Sequence, residues 1–310
     1  MTSSHRRFGI TFALLGFASI LPVTVRAQPP VYLTQWGSAG SFGVATDAAG
    51  DVYVASTYGQ VQKFTGSGTY LTGWATSPGN VATDAAGNVY VSEYNSHRIL
   101  KYTGTGTYLT QWGSPGSGNG QFSFPAGLAT DAAGNVYVAD SNNDRIQKFT
   151  GSGTYVTQWG SYGSGNGQFQ GAYGIAVDGS GFVYVLEVTG SRVQKFDGSG
   201  SFLGSWGSIG SDNEQFVNPF GIAVDASGDV YVADTGNSRI QKFTGSGTFL
   251  TKWGSFGSGD GQFNNPYGVA TDAAGNVYIA DFSNTRIQKF GDASTPTNAT
   301  TWGRLKSLYR

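Results

Sequence analysis

Residues 234–243 read DTGNSRIQKF and bring Asp234, Arg239 and Lys242 close together in a chain that is only 12% charged. A carboxylate, a guanidinium and an ammonium in one short stretch can hold an anion, move a proton, or pair with each other and fix a fold. Elsewhere His97 stands four residues after Glu93, a spacing open to general-base chemistry with the carboxylate as its partner. There is no cysteine, so thiolate nucleophiles, zinc–thiolate sites and disulfides are excluded. No motif calls for a cofactor or a metal, because a single histidine outside the first 27 residues cannot supply a multi-histidine ligand set.

The charged stretch is not unique. The phrase TDAAGNVYVAD recurs with small changes, and its turn aspartate is Asp47, Asp84, Asp131, Asp178, Asp225 and Asp272. The spacing is 37 residues and then 47 four times. After it comes an acid, Glu93, Asp140, Glu187, Asp234 or Asp281, and then an arginine, Arg98, Arg145, Arg192, Arg239 or Arg286. The first copy lacks both, with Ser56 and Gln60 in their places. Joint presence and joint loss mark the two as partners, so the spacing predicts a salt bridge across each four-residue turn. A lysine closes every copy (Lys63, Lys101, Lys148, Lys195, Lys242, Lys289), and that regularity points to structure rather than to one catalytic lysine.

Each copy holds four short runs rich in Val, Ile, Tyr and Phe, separated by turn residues, as in GIAVD, DVYVAD, RIQKF and TFLTKW. Asp at the first and Gly at the fourth position of DASG is a type I turn signature. One four-stranded meander cannot bury both faces, so the copies must stack. The first runs are small (Gly174 with Ala176, Gly221 with Ala223) and the outer ones bulky (Phe243, Phe249, Trp253), which is the taper of a radial arrangement. The expectation is an all-β, six-bladed β-propeller with four antiparallel strands per blade. The last copy stops after RIQKF, while an orphan outer strand, VYLTQWG, begins the mature chain. That N-terminal strand is expected to complete the last blade and close the ring. ATTWG at 299–303 is the rival for that place.

At residues 218–243, NPFGIAVDASGDVYVADTGNSRIQKF resembles an NHL repeat. The resemblance runs through six copies and is degenerate in the first. It implies a six-bladed propeller, and relatives that bind protein or RNA. Propeller enzymes of similar build, the peptidyl-hydroxyglycine lyases and virginiamycin B lyase, supply the alternative of a lyase or hydrolase. The fold is implied more strongly than the function.

Function is expected where the copies differ. From Trp112, Trp159, Trp206 and Trp253 to the next turn aspartate is 19 residues, but from Trp36 and Trp74 only 11 and 10. Four tall loops and two short ones predict a notch above the first two blades. Around it stand Tyr58, Tyr94, His97 and Phe282, and nearer the axis Phe42, Tyr173, Phe220 and Tyr267. These eight residues are the candidate binding crescent for a protein, peptide or carbohydrate ligand, with no residue assigned to catalysis. The blander reading is that the rings pack beneath their own loops.

Residues 1–27 read as a Sec-type signal peptide: Arg6 and Arg7, an apolar run, and Val25 and Ala27 framing a cleavage before Gln28. The expectation is therefore a secreted or periplasmic protein, monomeric, with no stable membrane insertion after cleavage. The propeller should span 28–291 and a tail 292–310. The mature chain has 15 basic and 19 acidic residues, and outside the repeat framework its only bases are Lys252, Arg304, Lys306 and Arg310. No basic patch is left for nucleic acid, so none is expected as a partner.

Overall fold

The computed structural model describes residues 28–37 and 40–291. The expected signal segment and the tail, with the rival strand at 299–303, lie outside them. Six sheets of four antiparallel strands form a ring. Blade 3 shows the pattern: Pro125–Thr130, Val136–Asp140, Arg145–Phe149 and Tyr155–Trp159 follow one another outward. Blades 1, 2, 4 and 5 begin at Ser41–Thr46, Asn80–Thr83, Ala172–Val177 and Gly221–Val224.

Blade 6 is built from both ends of the described chain. Pro266–Thr271, Val277–Asp281 and Arg286–Gly291 are joined at the outside by Val31–Gly37. Trp36 pairs with Ile287 and Gln35 with Gln288. Arg286 Nη1 donates to Gln35 Oε1 at 2.6 Å, and Trp36 packs on Phe64 of blade 1 and on Tyr278. The N-terminal strand closes the ring and covers the edge of Arg286–Gly291.

The first strands surround the axis, where neighbouring blades lie closest. A Cβ on Gly174 or Gly268 would stand 2.9 Å from the carbonyl oxygen of Phe220 or Phe42, so only glycine lets the inner strands come this near. Threonines tie them further: Thr46, Thr83 and Thr130 each donate a hydroxyl proton to a carbonyl of the preceding blade at 2.6–2.7 Å. Farther out, the space between blades is filled by apolar layers. Between blades 3 and 4, for example, Tyr137, Ile146, Phe169, Val183, Val185 and Phe196 pack together. Burying such side chains contributes about 1.5–3 kcal/mol each.

The turn aspartates act as anticipated. Asp131 Oδ1 accepts the amides of Ala133 and Asn135 at 3.0 and 2.8 Å, and Oδ2 accepts the Tyr137 hydroxyl at 3.0 Å. Four of the lysines are cross-blade latches on that same face, while Lys63 and Lys242 pair with Asp51 and Asp229 of their own blades. Lys101, Lys148 and Lys195 each lie over their own blade's tyrosine ring and donate to a turn carbonyl of the next blade: Gly151, Gly198 and Gly245. Lys289 does the same to Gly66 and so links blade 6 to blade 1.

Candidate functional site

The opposite face carries the acid–arginine pairs and the loops of unequal length. All five pairs form, with N···O distances of 2.6–2.8 Å. Each acid ends the second strand and each arginine opens the third, and in blade 3 Asp140 stands directly opposite Arg145 in register. The arginine does more than pair. Arg145 Nη1 donates to Ser117 O at 2.7 Å and to Gln158 Oε1, and Nη2 donates to Gly118 O at 2.8 Å and Gln121 O at 2.9 Å. It therefore grips the long loop that precedes its own blade. Asp140 Oδ1 accepts the Ser123 amide at 2.7 Å where that loop ends. Gln147 completes the grip: its amide nitrogen donates to Gln121 O and its oxygen accepts the Gly120 amide. Beneath the loop Phe122 is fully buried against Phe149, with ring centroids 5.6 Å apart.

The same clamp recurs in blades 4, 5 and 6. Arg239, for example, holds Ser211 O, Asp212 O and Gln215 O at 2.6–2.9 Å. Phe169, Phe216 and Phe263 repeat the buried anchor. Sequence reasoning missed both the glutamines and these phenylalanines. Their signal was the repeated GQF or EQF at 120–122, 167–169, 214–216 and 261–263.

Blades 1 and 2 lack the long loop. Blade 1 has lost the clamp as well, with Ser56 facing Gln60, and Gln62 Oε1 is buried without a hydrogen-bond partner among the described residues. Blade 2 keeps the clamp. Glu93 accepts from Arg98, from the Thr76 hydroxyl and from the Ser77 amide. Burial pushes the Glu93 carboxyl up, but the Arg98 hydrogen bond with those two further donors outweighs it and holds the group below the ordinary range. Between blades 1 and 2 lies an open groove of about 550 Å³ that includes Gly59, Arg98, Leu100 and Tyr102; Tyr58, Tyr94, His97 and Phe282, expected around the notch, do not line it.

Near the axis the structure brings five of the eight candidate residues into one contiguous aromatic ladder. Tyr173 meets Phe220 edge-on at 5.0 Å, and Phe220 stacks on Tyr267 at 4.5 Å. Tyr267 contacts Phe42 and Phe282 at 5.6 and 5.0 Å, and Phe42 stacks on Phe282 at 5.1 Å. All five are half-buried, so they offer surface as well as packing. All but Phe282 line an axial cavity of only about 50 Å³, room for a few waters and no more. Burial pushes the Tyr173 phenol up, with Tyr267 and Tyr94 nearby adding to it, and burial likewise raises Tyr267. Both phenols are therefore neutral donors at neutral pH.

The ladder spans blades 4, 5, 6 and 1 and breaks over blades 2 and 3, where Gly79 and Ala126 take the ring's position. There Tyr94 and His97 lean on Phe124, with ring centroids 4.9 and 4.7 Å away. Phe124 was not singled out from the sequence. It sits at φ 55°, a left-handed position that its counterparts fill with Gly171, Asn218 and Asn265. A phenylalanine there is strained by about 1–3 kcal/mol and needs support. His97 supplies it, for Nδ1 accepts the Phe124 amide proton at 3.1 Å. Asp144 acts likewise in the following blade, accepting from Gly171 at 3.3 Å. Tyr58 stays apart: it is 74% exposed and joins no ring contact among the described residues. Among the described residues no group of three His, Asp or Glu could hold a metal ion.

The NHL repeat family model matches residues 122–149, 216–243 and 263–290. Those segments each run from a buried loop phenylalanine through the clamp to the end of the third strand. The chain is a six-bladed β-propeller with three matches to the NHL repeat. Its fold is similar to that of a streptogramin B lyase, at 15% identity over 85% of this chain and 96% of that one, with a TM-score of 0.58. It is similar too to a protein of unknown function from Bacteroides thetaiotaomicron VPI-5482, at 19% identity over 86% and 72% of the two chains, with a TM-score of 0.66. An auxiliary nutrient binding protein from the same organism shares 15% identity over 82% and 69%, with a TM-score of 0.62. At these identities the likeness is one of fold. No curated protein matches the sequence.

Proposed function

We propose that this propeller is an exported, non-catalytic binding module that captures its ligand on the aromatic mouth of the loop-bearing face. The carrying observation is the half-buried ladder of Tyr173, Phe220, Tyr267, Phe42 and Phe282. Half-buried rings without a charge among them favour a flat, weakly polar group, such as the aromatic side chain of a peptide or protein or the apolar face of a sugar. The tyrosine hydroxyls supply directional hydrogen bonds at the rim. Binding of a nutrient, as the name of one structural neighbour states, is a task of the same kind.

The lyase alternative has less support. His97 Nδ1 is already engaged by the Phe124 amide, and the Glu93 carboxylate is engaged by Arg98, Thr76 and Ser77. Neither is free to take a substrate proton without dismantling local structure.

The test is calorimetric titration of the mature chain with a panel of oligosaccharides and aromatic peptides. Phe220→Ala with Tyr267→Ala should weaken capture by about tenfold or more, since ring contacts contribute ~0.5–1.5 kcal/mol each beyond burial. Tyr58→Ala should leave it unchanged. A ligand held equally well by the double variant would place the site elsewhere.

A further inference from the structure

Blade 2 retains a clamp without the loop that the clamp holds. On blades 3 to 6 the arginine is covered, with its side chain 8–16% exposed, while that of Arg98 is 38% exposed. Arg98 Nε still donates to Glu93 at 2.6 Å. Arg98 lines the groove at the place where the long loop would lie, beside Thr76, Ser77 and Glu93, while Leu100 stands where blade 3 has Gln147 and Tyr102 where it has Phe149, both buried. Blade 1 shows that loss of the loop need not leave an arginine behind.

The geometry points to a peptide-docking site here: an extended, glycine-containing segment of a partner polypeptide lays main-chain carbonyls on Arg98. The chain itself is the precedent, because four of its blades seat such a segment at the equivalent place. In blade 4, Arg192 takes Ser164 O, Gly165 O and Gln168 O while Phe169 is buried below. Charge selects the same occupant. Glu93 already neutralises Arg98, and a neutral pair with free N–H donors suits carbonyl oxygens better than an anion, which Glu93 would repel. The groove shares no residue with the aromatic mouth, so this site stands or falls independently of the function proposed above.

The probe is a synthetic peptide of sequence GSYGSGNGQFQ, residues 160–170 of this chain, titrated against the full mature protein by fluorescence anisotropy. Saturable binding is expected. Arg98→Gln should weaken it by about tenfold, the value of one or two charge-assisted hydrogen bonds. In a second variant, residues 113–124 replace 75–78 so that the groove is filled from within, which should abolish binding while the fold is kept. No saturation at about millimolar peptide, or binding by Arg98→Gln within about twofold of the parent, overturns the assignment.

Discussion

Arg145 and Arg98 occupy the same position of the repeat, yet the same substitution should cost very different amounts. Arg145→Gln removes the ion partner of Asp140, a fully buried carboxylate, and releases Ser117 O, Gly118 O and Gln121 O. Stranding one member of a buried pair costs about 3–5 kcal/mol. Asp140 would still accept from the Ser123 amide, Asn143 and Gln147, so the lower half of that range, about 3–4 kcal/mol, is expected. Arg98→Gln breaks a pair whose arginine is 38% exposed and touches no loop carbonyl; Glu93 is buried but keeps the Thr76 and Ser77 donors, so the cost should lie at the top of the range for an exposed pair, about 1 kcal/mol. At ~2–4 °C per kcal/mol, the melting temperature should fall by about 6–16 °C in the first case and at most about 4 °C in the second. Tryptophan fluorescence during thermal and urea unfolding measures both, and hydrogen exchange at Gly116 and Phe122 reports whether the loop has been released. Equal losses within about 1 kcal/mol would show that the loop carbonyls and burial carry no weight, and the clamp reading would fail.

Other outcomes can be checked on the same material. Deleting residues 28–37 removes the outer strand of blade 6 and its Trp36 and Gln35 contacts, so the melting temperature should drop sharply, with aggregation through the opened edge; an unchanged melt would refute closure by this strand. In Gly160→Ala the new Cβ would meet the Phe169 ring at 2.5 Å from a backbone at φ 108°; a cost of about 1–3 kcal/mol in urea melts is expected. Glu93, Asp84 and Asp131 are pushed up by burial but pulled further down by their hydrogen bonds and nearby cations. They favour folding above the ordinary carboxylate range, about pH 4, and lose that contribution as pH falls below it, which acid titration of stability should show. The proposed export is tested by fractionation: a chain beginning at Gln28, read by N-terminal sequencing, is expected in the culture fluid or periplasm, and its retention in the cytoplasm would refute it.

Most of the frame was legible in the chain because a repeat reports its own constraints. The period of 47 residues, the small inner and bulky outer strands, and the outer strand displaced to the N-terminus were enough for six blades and for how the ring closes. Acid and arginine were recognisable as partners because they vanish together. The aromatic ladder could be suspected because all its members except Phe282 share one position of the repeat. What lies across space was harder to read. The bonds from Arg145 to its loop carbonyls span 24–28 residues of irregular, glycine-rich chain, whose path no local periodicity encodes. Tyr58 and Phe282 both lie on the loops between second and third strands, yet one points to solvent and the other stacks on Phe42. His97 looked like a lone base, and only the return of the chain at Phe124 makes it the support of a strained residue. The sequence by itself therefore determined the blades, their number and their pairs. Only the tertiary structure decided which arginine is covered and which is left open, because the side chain is the same in both and the difference lies in the loop that folds back over it.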